Sequence, residues 1–536
     1  MPDDKQKIAD AEANPSSEKG KSRPRGAVTN AGWNAFSTLW SITISFLLAP
    51  ILIHYLGVAQ YGILLLIWSV TGILGIMNFG LGEATLRYVA HYFGDRDLAG
   101  VNRVFGATLS FYVVVCATVS GVFFFSGPTV GTLLKVPAEE YPLVGSLLRL
   151  SALVFSLAII SQAYGSILMA QQRYDITSRI NIGQNVVRST GYILLVIGKF
   201  GIFHLVLWDV LLGFATLCVQ AAVVRRLSPE VRLLPSFSFG GLREIIGYSI
   251  FSFLTYVFHM MHRESGKLAL GTYIGPSPVA YLGTPDNVSQ RIHMIVASGS
   301  ETLLPRFSAN RDPKVAQALF LNGTWAALAI SIILFIPLIV LMPDFLRLWI
   351  SPDFARESAA VGQLAALSYI TQGAFAPPAT FFRGSGKPWF VTIVIAFAGI
   401  ATLLFSLLLI PAHGVLGVGY AYLLGSIAPF LGVVIGWFYM FGSSSIIPLI
   451  RSVGLPVLMG GIAFAAESFI RNWAADLSWV GLFAFGGFFA GLAGLLVLGV
   501  DWVLGGDSPS KALLKRIGES NKVNALLGYI HAKKVS

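Results

Sequence analysis

Charge is scarce in this sequence. Asp, Glu, Lys and Arg together supply 12% of its 536 residues, whereas hydrophobic residues supply 55%. Soluble globular domains are about 25% charged, so this composition excludes a soluble globular protein and predicts a membrane protein. Cysteine is scarce as well. Cys116 and Cys218 both lie inside apolar segments, where we expect small core residues without a disulfide.

Motifs that support enzyme chemistry are missing too. No GxxxxGK[ST] sequence for binding nucleotide phosphates occurs. The Asp95–Asp97 turn formally matches a DxD metal motif, but a short turn of solvated charges is the simpler interpretation. His259 and His262 with Glu264 lack a further ligand on the same helical face. We therefore predict that the chain is not an enzyme and has no catalytic residue, no metal site and no cofactor.

Long apolar segments dominate what is present. A helix of ~20 residues crosses the ~30 Å hydrocarbon layer of a bilayer. The predicted spans cover residues 33–56, 61–85, 104–126, 145–168, 180–198, 202–224, 245–268, 277–303, 319–342, 360–381, 389–411, 415–441, 453–470 and 479–500. We therefore predict an all-α polytopic membrane protein with about fourteen transmembrane helices.

The spans group into segments along the chain. We expect two six-helix lobes, two further C-terminal helices, and polar tails at both ends. The predicted segments are a disordered cytoplasmic tail (1–27), an N-lobe (28–226), a cytoplasmic linker (227–244), a C-lobe (245–441), the last two spans (442–501) and a basic cytoplasmic tail (502–536).

Lysine and arginine are distributed unevenly between the two sides of this arrangement. Most of the 37 fall in the tails and in every second loop. The opposite side receives only Lys135, Lys199, Arg347, Arg356 and Arg471. The positive-inside rule then predicts that both termini lie in the cytoplasm. The net charge of +11 thus reflects topology, and we expect no nucleic-acid partner.

A weak internal repeat relates the two lobes. An acidic and a basic residue recur near the ends of the second and eighth predicted spans, as Glu83 with Arg87 and as Glu301 with Arg306. Each copy holds an even number of spans, which predicts a pseudo-twofold axis along the membrane normal with a cavity between the lobes. We expect these residues to form a gate. A stabilising ion pair is the alternative, because Glu83 and Arg87 are four residues apart.

Basic side chains also occur within the predicted spans or near their ends. They are Arg149, Arg188, Arg263, Lys267 and Arg291. A charge at the centre of a spanning helix costs ~2.5–3.5 kcal/mol, so such residues usually face a wet cavity, a partner or a transport pathway. Snorkelling towards the membrane surface is the alternative, and it suits Arg149 near its helix end. We predict that these cations bind substrate.

Polar stripes follow the first and seventh predicted spans, which the repeat aligns. Asn34, Ser41 and Ser45 share one helical face of the first span, and His259 shares the face of the two cations on the seventh. Arginine makes paired bonds to phosphate, and small polar groups meet sugar hydroxyls. The stripes therefore predict a site for a bulky, anionic and hydroxyl-rich ligand, although helix packing alone also explains the serines.

These features occur together with a set of short motifs. The motifs are Asn30, Leu56-Gly57, Tyr61-Gly62, Gly80-Leu81-Gly82, Arg87, Gly94, Asp95 and Asp97. In them, and over roughly residues 28–500, the chain resembles the Wzx-type oligosaccharide flippases of the multidrug, oligosaccharidyl-lipid and polysaccharide exporter superfamily. The resemblance implies alternating-access transport of an undecaprenyl-diphosphate-linked oligosaccharide to the periplasmic leaflet, for O-antigen, capsule or exopolysaccharide assembly. It implies the polyprenyl-diphosphate-linked glycan, membrane lipids and other polysaccharide-assembly proteins as partners.

Three other functions remain open at this stage. A multidrug exporter of the same superfamily usually needs acidic groups for cationic drugs, whereas this lumen is predicted to be net positive. A lipid II flippase shares the number of spans and a cationic cavity. A membrane-embedded glycan polymerase, ligase or glycosyltransferase generally carries large periplasmic loops, and the longest here, about residues 127–144 and 343–359, are short.

Overall fold

The fold is helical throughout the part of the chain that the structure describes. The computed structural model describes residues 43–44, 46–125, 127–133, 135–309, 312–442, 446–474 and 476–504. Among these residues, nine helices are long and apolar enough to cross a membrane. The prediction of an all-α polytopic membrane protein is confirmed, while the total of about fourteen spans stays a prediction. The predicted tail 1–27 and the basic tail from residue 505 lie outside the described residues.

The first half of the chain contains eight described helices. They are α1 (Phe46–Leu56), α2 (Val58–Leu74), α3 (Leu81–Gly94), α4 (Leu98–Phe125), α5 (Gly127–Leu133), α6 (Tyr141–Ala170), α7 (Tyr174–Ile197) and α8 (Ile202–Leu227). Short 3₁₀ segments occupy Gly75–Asn78 and Ala138–Glu140.

The second half repeats this pattern and ends in two extra helices. They are α9 (Phe239–Tyr273), α10 (Pro276–Glu301), α11 (Leu304–Ala309), α12 (Pro313–Trp349), α13 (Pro352–Gly384), α14 (Pro388–His413), α15 (Val415–Phe441), α16 (Ile447–Trp473) and α17 (Trp479–Leu504).

Connections between the long helices alternate between two ends of the bundle. The turns after α3, α6 and α13 share one end, which we call the Lys387 end after a residue in the last of them. The turns after α7, α9, α12 and α16 share the other, the Lys199 end. Arg96 and Arg173 lie with Lys387, whereas Arg471 lies at the Lys199 end.

The predicted second span is broken, which corrects the single helix expected over 61–85. After the 3₁₀ segment, Phe79 and Gly80 adopt left-handed backbone angles, with φ of 51° and 70°, and a new helix starts at Leu81. The Asn78 side chain bridges the break, because its oxygen accepts from the Gly82 amide at 3.2 Å and its nitrogen donates to Gln162 at 2.8 Å. The predicted eighth span, by contrast, is one continuous helix, α10, which ends at Glu301 and is followed after a short turn by α11.

The two halves meet through a small set of helices. Helix α9 packs mainly on α14 of its own half and also contacts α2 and α3 of the first half, while α10 packs on α2 and α13. One apolar core, which includes Phe105 and Tyr112, lies inside the first half. A larger core runs from α1 and α2 into the second half, where it includes Phe335 and Trp437. The halves are therefore joined by continuous apolar packing.

Helices α16 and α17 dock on α12 of the second half. At the Lys199 end the two oxygens of Asp344 accept from Nε and Nη2 of Arg471, at 2.6 Å each. Arg347 donates to the carbonyl oxygen of Leu477 at 2.9 Å. A small apolar cluster that includes Phe489 packs beside these bonds. A buried ion pair therefore anchors the two C-terminal helices.

Replacing Arg471 with Gln should lower the unfolding midpoint of the purified protein, because the Asp344 side chain is 8% exposed and would lose its main partner. Removing one member of a buried ion pair typically costs ~3–5 kcal/mol, whereas removing both costs less. The double variant R471Q/D344N should therefore recover part of the loss. Asp353→Asn, in an exposed pair with Arg356, is the matched control. If the double variant instead lowers the unfolding midpoint by the sum of the effects of the two single substitutions, the two residues do not act as an anchoring pair.

Candidate functional site

Three long described helices fall short of the apolarity of a membrane span: α7, α10 and α13. Two of them carry predicted substrate-binding cations, namely Arg188 on α7 and Arg291 on α10, and the cations Arg263 and Lys267 lie on α9, which packs against α10. An isolated charge is costly in lipid, so these helices need a polar interior to face. Their low apolarity therefore points to an internal site.

A central cavity of about 500 Å³ lies between the halves. Helices α1, α2 and α7 line it from the first half, and α9 and α10 line it from the second. The structure brings Arg188, Arg263, Lys267 and Arg291 together in its wall. Trp68, Asn185 and Asn287 add an aromatic surface and amide groups. The wall thus offers cationic groups for an anion and polar groups for hydroxyls.

Arg188 is held by two hydrogen bonds to one carboxylate. Its Nε and Nη2 donate to the two Asp209 oxygens at 2.8 and 2.9 Å, and the Tyr192 hydroxyl donates to Asp209 at 2.6 Å. The guanidinium also lies 5.6 Å from the Trp68 ring centroid. This arrangement fixes the guanidinium plane. Sequence reasoning missed both partners, although Asp209 is a lone carboxylate inside an apolar span.

Arg263 and Lys267 belong to a second, charge-balanced cluster. Glu264 accepts from Arg263 Nε at 2.8 Å and from Lys267 Nζ at 3.4 Å. Lys267 also lies 3.3 Å from Asp286, which in turn accepts from the Tyr369 hydroxyl at 3.0 Å. Glu264 and Asp286, which the sequence interpretation left out of the site, therefore balance these two cations locally, while the central cavity also holds Arg188 and Arg291.

Two further cavities continue from the central one along α9. A histidine cavity of about 320 Å³ is lined by His259, His262 and His293, and it shares Arg263 with the central cavity. A vestibule of about 690 Å³ lies towards the Lys387 end, and its wall includes His259 and Glu83. The predicted site residue His259 thus lies beside the central cavity, between these two spaces.

Other predicted binding residues are not brought to the central cavity. Arg149 is exposed on α6, with its guanidinium 5.1 Å from the Phe124 ring centroid. The structure thus places the Arg149 side chain against an aromatic ring and away from the central cavity. Asn34, Ser41 and Ser45 lie outside the described residues.

The predicted gate residues lie towards the Lys387 end. Glu83 lines the vestibule, and so does Arg383 from α13. Arg383 donates to Glu301, whereas the sequence pattern had grouped Glu301 with Arg306. Sequence reasoning missed Arg383 because it lies 82 positions along the chain from Glu301. The gate role of Glu83, Arg87, Glu301 and Arg306 stays a prediction.

Contacts between the halves close the Lys199 end. Lys135 Nζ donates to the carbonyl oxygen of Tyr273 at 2.7 Å. The Phe46 ring, in the cavity wall, stacks on Trp349 with centroids 4.9 Å apart. Gly62 on α2 lies so close to α10 that an added methyl group would overlap the backbone carbonyl of Pro276. Glycine at position 62 therefore permits this closed contact.

Comparison with known protein families links both halves to known proteins. The family described as polysaccharide biosynthesis protein matches residues 27–311, and the family described as MatE matches residues 245–408. The succinoglycan biosynthesis transport protein ExoT of Rhizobium meliloti is 23% identical over 385 residues, which cover 67% of this chain and 69% of that protein.

Solved structures share the fold at low sequence identity. A structure of the lipid II flippase MurJ, in an inward closed conformation, superposes with a TM-score of 0.70 at 12% identity, covering 88% of this chain and 98% of MurJ. An inward-facing multidrug resistance MATE family transporter of the MOP superfamily gives a TM-score of 0.62 at 16% identity, covering 75% of this chain and 94% of that one. The architecture is thus that of the MurJ and MATE proteins.

Gly62→Ala should hold the Lys199 end open, because the new methyl group meets rigid backbone that no rotamer change can move. We expect a cysteine placed at the cavity residue Asn287 to react several times faster with a water-soluble maleimide in the Gly62→Ala background. Gly72→Ala is the matched control on the same helix, since nothing lies within 4 Å of its added methyl group. Equal labelling rates in the folded Gly62→Ala and Gly72→Ala proteins would contradict the closing role of Gly62.

Proposed function

We propose, from the premise that this chain belongs to the polysaccharide biosynthesis protein family, that it is a flippase for an undecaprenyl-diphosphate-linked oligosaccharide. It carries the glycan from the cytoplasmic to the periplasmic leaflet of a bacterial inner membrane. One observation carries the proposal: Arg188, Arg263, Lys267 and Arg291 converge on a cavity between two halves of a membrane protein. Basic groups in that position match a diphosphate in charge and hydrogen-bonding geometry.

The cargo has two chemically different parts, and the protein needs to enclose only one. Moving the polyprenyl tail into a wet cavity would lose ~0.8 kcal/mol per exposed methylene, so the tail stays in lipid. The diphosphate and the first sugars occupy the central cavity, where Trp68 offers a ring face and Asn185 and Asn287 offer amides. The related ExoT is named a succinoglycan biosynthesis transport protein, which favours a polysaccharide cargo over a drug.

Alternating access explains the unequal ends of the bundle. Contacts between the halves close the Lys199 end, whereas the vestibule occupies the side towards the Lys387 end. Arg96, Arg173 and Lys387 lie at that second end, so the positive-inside rule assigns it to the cytoplasm. In this state the headgroup enters from the cytoplasmic side. Glu83 and the Glu301–Arg383 pair, both near the vestibule, form the gate that closes when the periplasmic side opens.

Arg263→Gln and Arg291→Gln should each reduce glycan export about tenfold or more, because a charge-assisted hydrogen bond is worth ~1.5–3 kcal/mol. Lysine at either position should rescue export in part, since it restores the charge without the planar fork. Export and cytoplasmic-leaflet accumulation of the lipid-linked glycan are measured in a deletion strain at matched protein levels. Arg149→Gln, an arginine outside the cavity, should export normally. Full export by both Gln variants would overturn the proposed site.

The assigned orientation predicts which surface positions react from outside the cell. Asp476 at the Lys199 end is 90% exposed, and Asp95 at the Lys387 end is 60% exposed. In a background without Cys116 and Cys218, Asp476→Cys should react with a membrane-impermeant maleimide in intact cells. Asp95→Cys should react only after the cells are permeabilised. Labelling of Asp95→Cys in intact cells would reverse the orientation.

A further inference from the structure

The carboxylates around the cationic groups are of two structural kinds. Asp209 uses both oxygens to hold Arg188 and is 7% exposed, on α8 behind the cavity wall. Glu264, 3% exposed, is itself part of the wall of the central cavity, and it accepts one bond each from Arg263 and Lys267. The first kind orients a cation permanently. The second kind pairs with a cation through a hydrogen bond, and another acceptor can replace it in that bond.

Arg263 keeps the freedom to exchange its partner. Its side chain is 36% exposed, and it lines both the central and the histidine cavity. With the Gln290 amide turned so that its oxygen faces the guanidinium, that oxygen lies 2.7 Å from Nη1. The remaining contacts of Arg263 are thus to neutral or singly bonded acceptors. A phosphate group, with several charged oxygens, would be a stronger acceptor than either.

An empty cavity with unpaired cations would be unfavourable in a membrane protein. A flippase must pass through an empty state in every cycle, and isolated charges in a low-dielectric interior are costly. Glu264 in the wall of the central cavity and Asp286 in the wall of the adjoining histidine cavity balance Arg263 and Lys267, with separations of 2.8 to 3.4 Å. The same balance weakens the hold on an anionic headgroup, because the headgroup has to displace an acceptor that is already in place.

We propose that Glu264 and Asp286 are internal counter-anions that compete with the cargo headgroup for Arg263 and Lys267. They stabilise the empty cavity, and they promote release of the headgroup by pairing with the cations again. The proposal rests on the proposed function, because it takes the headgroup to be a diphosphate. Both carboxylates thus lower the affinity for the headgroup, whereas the cations raise it.

The test measures binding of inorganic pyrophosphate to the purified full-length protein by calorimetry. Glu264→Gln should bind about tenfold more tightly than the unmodified protein, because a like charge beside the anion is removed. Asp286→Asn should shift the affinity in the same direction while keeping an acceptor for the Tyr369 hydroxyl. Asp353→Asn, which neutralises an arginine-paired carboxylate on the surface, should bind as the unmodified protein does. Arg263→Gln should weaken binding.

Export in the deletion strain gives the second readout. Glu264→Gln should export less glycan than the unmodified protein despite its tighter binding, because release slows, and a merely structural role would not produce this combination. Pyrophosphate binding at or below the unmodified affinity in both folded carboxylate variants would overturn the inference. If the unmodified protein exports glycan and Arg263→Gln does not, the proposed function survives that outcome. Failure of the unmodified protein to restore export would overturn both proposals.

Discussion

A charge inside a membrane protein needs a partner, and the arrangement of this fold follows from that requirement. Asp209 of α8 fixes Arg188 of α7, Asp286 of α10 approaches Lys267 of α9, and Asp344 of α12 anchors α16 through Arg471. Each pair joins two helices and turns their polar faces inward. Apolar packing alone would leave the rotation of such helices weakly determined, because lipid tails are as apolar as the neighbouring side chains.

The sequence predicts the cations of the site better than their partners. Arg188, Arg263, Lys267 and Arg291 stand out because basic residues are rare in apolar segments, and all four line one cavity. Their partners depend on which helices become neighbours, so Asp209 and Asp286 could not be assigned by local pattern. Arg149 shows the limit of the argument, since an aromatic ring at the bundle surface accommodates its charge equally well.

The irregularities of the backbone also could not be predicted from the hydrophobic periodicity of the sequence. The apolar pattern of the second span continues through the left-handed pair Phe79 and Gly80, so nothing in that pattern marks the break. The break is stabilised by Asn78, whose partner Gln162 lies on α6. A bond across 84 residues is a tertiary feature that helix propensity does not contain. The overall fold class, unlike this break, could be predicted from the sequence, because the length and apolarity of the segments alone decide it.

Helix α9 combines these features in one element. One part of it lines the central cavity through Arg263, Glu264 and Lys267, while His259 lines the two neighbouring spaces. It packs on α14 within its half and touches α2 across the interface. A change in the angle between the halves therefore alters all three cavities together. The Arg188–Asp209 pair, whose carboxylate lies behind the wall, moves as a rigid part of one half, whereas the pairs of Glu264 lie where the cargo binds. An ion pair thus serves as a structural contact where its carboxylate lies behind the cavity wall and as an exchangeable contact where its carboxylate lies in that wall.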